Sequence, residues 1–163
     1  MRGNLQKALD SVEMTYSQLV EIANDIVNEH VVEVNVLIYG VTQNVENLTN
    51  DAIRESMLKL SLSAYSFSDI KEKSSLKAEC AEALRKEAYA TEFNGADGSV
   101  AAKESAATIN TSDETLTETI YNLVASLFKA KLDEMHRVVD VLKTVLMSRV
   151  SEAKLTQVGM TDR

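Results

Sequence analysis

The chain has no proline, no tryptophan and a single cysteine in 163 residues, and only 5% of its residues are aromatic. Without proline nothing locks φ or removes a backbone N–H in mid-helix, so helices can run for many turns. Without tryptophan and with few other aromatics, a core must be built from Leu, Val, Ile, Met and Ala, which suits helix seams better than a thick globular interior. The lone Cys80 excludes an intramolecular disulfide framework and any multi-cysteine metal site. No run of about 18 uncharged apolar residues occurs, so no membrane-spanning helix is expected. The opening Met1-Arg2-Gly3-Asn4-Leu5 is followed by Gln6, Lys7 and Asp10, which is not a signal-peptide pattern, and a cytoplasmic protein is expected. The expected class is all-α, with long amphipathic helices packed as a coiled-coil hairpin or helical bundle in a single domain over residues 1–163.

Basic residues are also scarce, and unevenly so. The formal charge is −8 with a pI near 4.8, which favours solubility and argues against nucleic acid wrapped over the whole surface. Residues 1–70 carry four basic and ten acidic groups, residues 71–103 six of each, and residues 104–163 seven against nine. Only the middle third leaves room for a basic patch.

What is abundant is apolar spacing of three and four. Leu5, Leu9, Val12, Tyr16, Leu19, Ala23 and Ile26 form one seam, and Val27, Val31, Val34, Ile38, Val41, Val45, Leu48 and Ala52 continue it displaced by one residue. This predicts a helix over about 4–46 whose buried stripe steps sideways near Ile26 and Val27. The β-branched run at 31–41 and Gly40 within it equally suit a strand or a break near Tyr39-Gly40, and that alternative stays open. Asn47, Thr49, Asn50 and Asp51 favour a cap or turn, so a helical middle is expected over about 51–93. Its first part carries Ile53, Met57, Leu60, Ala64 and Phe67, and serines predict a kink or short loop around Ser66 to Asp69. Its second part places Leu76, Cys80, Ala83, Leu84 and Ala88 inward. Glycine, Asn and Asp at 94–99 predict a turn, and Val100 to Asn110 is a short helix or an ordered loop. Thr111 with Glu114 three residues later has the form of a capping box opening a last helix over about 112–155, with a frayed tail from Gln157 to Arg163. That helix carries Leu116, Ile120, Leu123 and Leu127, then Phe128, Leu132, Met135, Val139, Leu142 and Leu146, again with a one-residue shift; Val138, Val141 and Val145 widen the stripe.

No catalytic constellation accompanies these helices. His30 and His136 are taken as ordinary helix residues, read as lacking a carboxylate or second histidine at the four-residue spacing of a metal pair, and there is no Glu-x-x-His repeat. Cys80 is taken as a small core residue. The glycine turn lacks the Gly-Lys-Ser/Thr of a phosphate loop. No enzyme activity, cofactor or metal is expected.

Two binding readings remain. Lys71, Lys73, Lys77, Arg85, Lys86 and Lys103 surround the glycine turn in sequence, and Tyr89 and Phe93 offer stacking surfaces for unpaired bases. A solvated helix with i,i+4 pairs such as Glu82 and Lys86 accounts for the same residues. The stretch Leu76-Lys77-Ala78-Glu79 through Arg85-Lys86-Glu87-Ala88-Tyr89, the turn Asn94-Gly95-Ala96-Asp97-Gly98 and the helix from Leu127 to Leu146 resemble the UvsY-type recombination mediators, small helical bacteriophage proteins. The resemblance covers about residues 70–150 and rests on layout. It implies a homo-oligomer in the bacterial host cell that binds single-stranded DNA together with a recombinase or single-strand-binding protein. Lys71, Lys73, Lys77, Arg85 and Lys86 would be the DNA contacts and the last helix the oligomer interface. The acidic first helix, with Asp10, Glu13, Glu21, Asp25, Glu29 and Glu33, departs from that pattern. It supports the alternative, a phage inhibitor or adaptor of the anti-CRISPR kind that fills a basic cleft on one host protein. In either case the stripes are too wide for a single pairwise seam, so a homo-oligomer is expected, with Val139, Leu142 and Leu146 among its interface or inter-helix residues.

Overall fold

The computed structural model describes residues 2–161, with side chains placed over 15–155. It contains helices α1 (Arg2–Asn44), α2 (Asn50–Gly95), α3 (Val100–Asn110) and α4 (Ser112–Thr161), and no strand among the described residues. The chain is all-α, as expected. The side chains of Leu5, Leu9, Val12, Asp10 and Glu13 lie outside the described residues, as do Asp162 and Arg163 at the end of the expected frayed tail. The helix before them reaches Thr161, beyond the expected end at 155.

The valine-rich segment is helix. Val31, Val34, Ile38 and Val41 are all buried at steps of three and four, and tertiary burial of that stripe outweighs the low helix propensity of β-branched residues. Gly40 is exposed with open space around it, so it interrupts nothing in the packing. The sideways step occurs where it was expected: Ala23, Val27 and Val31 are buried at two successive steps of four, while Ile26 is exposed. Two such steps in a row locally unwind a seven-residue repeat.

Helix α2 corrects two expectations. It passes through Ser66 to Asp69 without a break, with Ala64 and Phe67 buried and the Ser66 hydroxyl donating to the Leu62 carbonyl at 3.4 Å. Its inner face follows one unbroken seven-residue repeat through Ile53, Met57, Leu60, Ala64, Phe67, Lys71, Ser74, Ala78, Ala81, Arg85 and Ala88, each buried or half-buried. Leu76, Cys80, Ala83 and Leu84, expected inside, therefore point outward; Leu76 is 59% and Leu84 62% exposed. The small residues Ser74, Ala78 and Ala81 take the inner positions because they let neighbouring helix axes approach toward about 8 Å.

The capping box at Thr111 is also corrected. Thr111 ends α3, and its hydroxyl donates back to the Ala107 carbonyl at 2.8 Å instead of accepting from the start of α4. The segment 100–110 is helical, opened by Ser99, whose side chain accepts from the Ala102 N–H. Gly98 before it has φ of +110°, a conformation that residues with a Cβ rarely adopt.

Contacts divide the chain into two compact units, one made of the chain up to Glu29 with Ile70–Lys129, the other of His30–Asp69 with the chain from Ala130. In the first, α2 and α4 run antiparallel, as Arg85 pairs with Glu118 and Lys77 lies over Tyr121. Its buried apolar residues are mostly small: Ala23, Val27, Ala78, Ala81 and Ala107, with Val124 and Phe128. In the second, α1 and α2 form a hairpin across residues 45–49, and α4 runs parallel to α1. Lys131 donates to Asn35 at 2.7 Å, and Arg149 donates to the carbonyls of Val45 and Glu46, each at 3.0 Å, and of Leu48 at 2.5 Å. Ile53, Leu60, Met135 and Leu142 are the large residues wholly enclosed there.

Arg149 thus closes a turn whose own backbone bonds are few, Asn47 N–H to the Asn44 carbonyl at 2.9 Å and Ile53 N–H to the Thr49 carbonyl at 3.0 Å. Arg149→Ala should lower unfolding stability by about 1.5–3 kcal/mol, the range for hydrogen bonds to a charged group, read from urea denaturation followed by circular dichroism. Leu142, 1% exposed, sits in the chain's own core, whereas Val139 and Leu146 are half-buried beside it. Leu142→Asp should unfold the second unit outright, with loss of helical signal at every protein concentration, since it sets an unpaired charge in an apolar seam.

Candidate functional site

The residues proposed for nucleic acid do not converge on one face. Lys71 and Arg85 occupy seam positions of α2, where Lys71 pairs with Glu72 at 2.8 Å and Arg85 with Glu118 across to α4. Lys86 is exposed and pairs with Glu82 at 2.5 Å. The hydrogen bond from Lys86 and then its charge hold the Glu82 carboxyl below its ordinary pKa. That preference for the charged carboxylate is present above the usual carboxylate range and is lost on acidification. Tyr89 and Phe93 are half-buried and stack on each other, 6.4 Å between centroids and 17° between planes. Lys103 is half-buried on α3. Lys73 and Lys77 share the outer side of α2, one turn apart, and the Lys77 ammonium stands 5.9 Å from the Tyr121 ring centroid. The structure brings together Lys73 with Lys77 and Tyr89 with Phe93. It leaves Lys71, Arg85, Lys86 and Lys103 on other sides.

The outer side of α2 in the same unit is apolar. Leu76, Cys80 and Leu84 line one wall of an open groove of about 540 Å³ whose other wall is Thr117 and Tyr121 of α4. Asp113 and Glu114 stand at its Leu84 end, and one carboxylate oxygen of Glu114 is buried without a hydrogen-bond partner among the described residues. The cysteine is exposed, not a core residue. This groove was missed in the sequence because its leucines were assigned to the inside.

In the second unit, an open groove of about 600 Å³ is bordered by Ser61, Tyr65 and Ser68 of α2 and by His136 and Asp140 of α4. Asp140 follows His136 at four residues, a spacing that puts both on one helix face and corrects the expectation that neither histidine has a carboxylate there. The signal was in the sequence, but both residues are exposed. No group of three or more His, Cys, Asp or Glu able to hold a metal ion occurs among the described residues.

On α1 the acidic residues form a ladder. Glu21, Asp25 and Glu29 are exposed at successive steps of four, with exposed Ile22 and Ile26 between them. No lysine or arginine occurs between Lys7 and Arg54. Each like-charge pair at this spacing destabilises a helix by roughly 0.2–0.5 kcal/mol. Glu33 is exposed as well.

The chain matches no protein-family model, no curated protein and no solved structure. No helix among the described residues is long and apolar enough to cross a membrane.

The two cations closest in sequence should behave differently. Arg85→Ala strands Glu118, whose side chain is largely buried, and should cost about 1–3 kcal/mol of stability. Lys86→Ala removes an exposed, solvent-screened pair and should leave stability nearly unchanged. Parallel urea titrations of the two variants check this, and equal losses would contradict the assignment of Arg85 to the seam.

Proposed function

We propose that the chain is a non-enzymatic helical binding and assembly protein that docks a partner protein carrying a basic cleft. The observation that carries this reading is the α1 ladder: Glu21, Asp25 and Glu29 repel one another, have no cation on their own helix face, and frame exposed Ile22 and Ile26. A partner that supplies lysine or arginine relieves the repulsion and covers the two isoleucines in one step, giving both charge complementarity and apolar burial. This is the inhibitor or adaptor reading, in a bacterial cytoplasm.

A second reading, a phage recombination mediator that binds single-stranded DNA with a recombinase or single-strand-binding protein, is supported by Lys73 and Lys77 on one strip beside the Tyr121 ring. The resemblance to UvsY-type proteins belongs to this reading. It competes with the ion pairs that already occupy Lys71, Arg85 and Lys86.

Host-lysate capture on the wild-type chain and on a Glu21→Gln, Asp25→Asn, Glu29→Gln variant separates the two. The first reading expects one basic protein retained by the wild type, released by salt and not retained by the variant. A titration with labelled single-stranded DNA at low and moderate salt tests the second, since phosphate contacts are strongest at low salt. Absence of binding at low salt removes it.

A further inference from the structure

The outer face of α2 in the first unit has an internal symmetry that the inner face lacks. Lys73, Leu76, Cys80, Leu84 and Glu87 follow one another at steps of three, four, four and three residues, which sets them in one strip along the helix that borders the groove shared with α4. All five are exposed. The pattern is the same length in both directions from Cys80, with a leucine on each side, and it ends in a cation on one side and an anion on the other. A face of this kind is complementary to itself when two copies meet antiparallel about a two-fold axis, the isologous arrangement of most dimers.

We infer that this strip is a homodimer interface, with the two-fold axis at Cys80. Leu76 then packs against Leu84 of the partner subunit, and Lys73 meets Glu87 of the partner subunit, each pairing made twice. Lys73 is also engaged within its own chain, but an ammonium has three N–H donors and can serve a second carboxylate. The groove beside the strip fits the same geometry. Its Leu76 end carries Lys77 and Tyr121, its Leu84 end Asp113 and Glu114, so a two-fold brings the basic end of each copy to the acidic end of the other. A parallel arrangement fails this test, because it would set Lys73 against lysine and Glu87 against glutamate. The axis itself is occupied by a small side chain. Helix axes about 8–10 Å apart, with Cα atoms on a radius of about 2.3 Å, put facing Cα atoms about 3.4–5.4 Å apart. That range overlaps the roughly 4.4–6.8 Å that a disulfide spans, so the chain's one cysteine is a native reporter of the axis.

This inference extends the assembly part of the proposed function and is tested apart from it, by oligomer mass and not by partner capture. Sedimentation of the full chain should give a dimer. Diamide, which takes up the two protons and two electrons released by a pair of thiols, should convert that dimer to a covalent one, and Cys80→Ser should remain a dimer that does not cross-link. Leu84→Asp, at an exposed position, should keep its helical signal and weaken the dimer on the order of 100-fold or more, since two leucine contacts are lost per dimer. Lys73→Glu should weaken it too, and the double exchange Lys73→Glu with Glu87→Lys should restore it, because the pair is rebuilt with its signs reversed. A monomer at all concentrations overturns the inference, as does a dimer indifferent to Leu84→Asp or one in which the double exchange is no better than the single changes. A monomeric Leu84→Asp variant that still captures its basic partner confirms this interface and leaves the α1 surface standing separately.

Discussion

Close approach between helices through small side chains is the constraint on which the rest of this structure depends. A chain without proline or tryptophan cannot fill a wide interior, so its helices must come near one another, and the inner face of α2 accordingly narrows to Ser74, Ala78 and Ala81 in the first unit. Where the seam would otherwise meet larger space, long cationic stems fill it. Lys71, Arg85, Lys131 and Arg149 all stand at seam positions, half-buried along their stems with their charged ends on carboxylates, an amide or backbone carbonyls. The same economy inside displaces leucines to the outside, and so the architecture of the core creates the surface.

Much of the fold was legible as spacing. The helical course of α1 and the sideways step of its stripe followed from apolar residues at three and four, and the turn before α2 from the cap and turn residues Asn47, Thr49, Asn50 and Asp51. The same approach misplaced the second half of α2. Leu76 and Leu84 are the most hydrophobic residues in that stretch, and hydrophobicity alone puts them inside. The phase established by Ile53, Leu60, Ala64 and Phe67 puts Ala78 and Ala81 there instead. Continuity of the helix outweighs the size of a side chain, since a change of phase within one helix requires a step like that at Ala23 and Val27, and α2 has none. Thr111 shows a different limit: a residue type that caps helix starts serves equally at a helix end, and only the hydroxyl's partner distinguishes the two.

The candidate site residues were legible as types but not as an arrangement. Neighbours in sequence on a helix diverge around it, so six cations gathered near the glycine turn scatter: Lys71 and Arg85 in the seam, Lys73 and Lys77 together on one side, Lys86 on another and Lys103 on α3. Lysine and arginine in a seam are structural before they are functional. The acidic residues of α1 escape this ambiguity because steps of four hold them on one side, and that regularity could be seen without coordinates.

Arg149 ties the order of synthesis to the closure of the fold. The carbonyls to which it donates belong to Val45, Glu46 and Leu48, made some hundred positions before it. During translation the α1–α2 hairpin therefore emerges before its guanidinium clasp has been made, with those carbonyls left to water until α4 follows. A nascent chain stopped before that point carries an open hairpin, which makes completion of the last helix the event that locks the first turn.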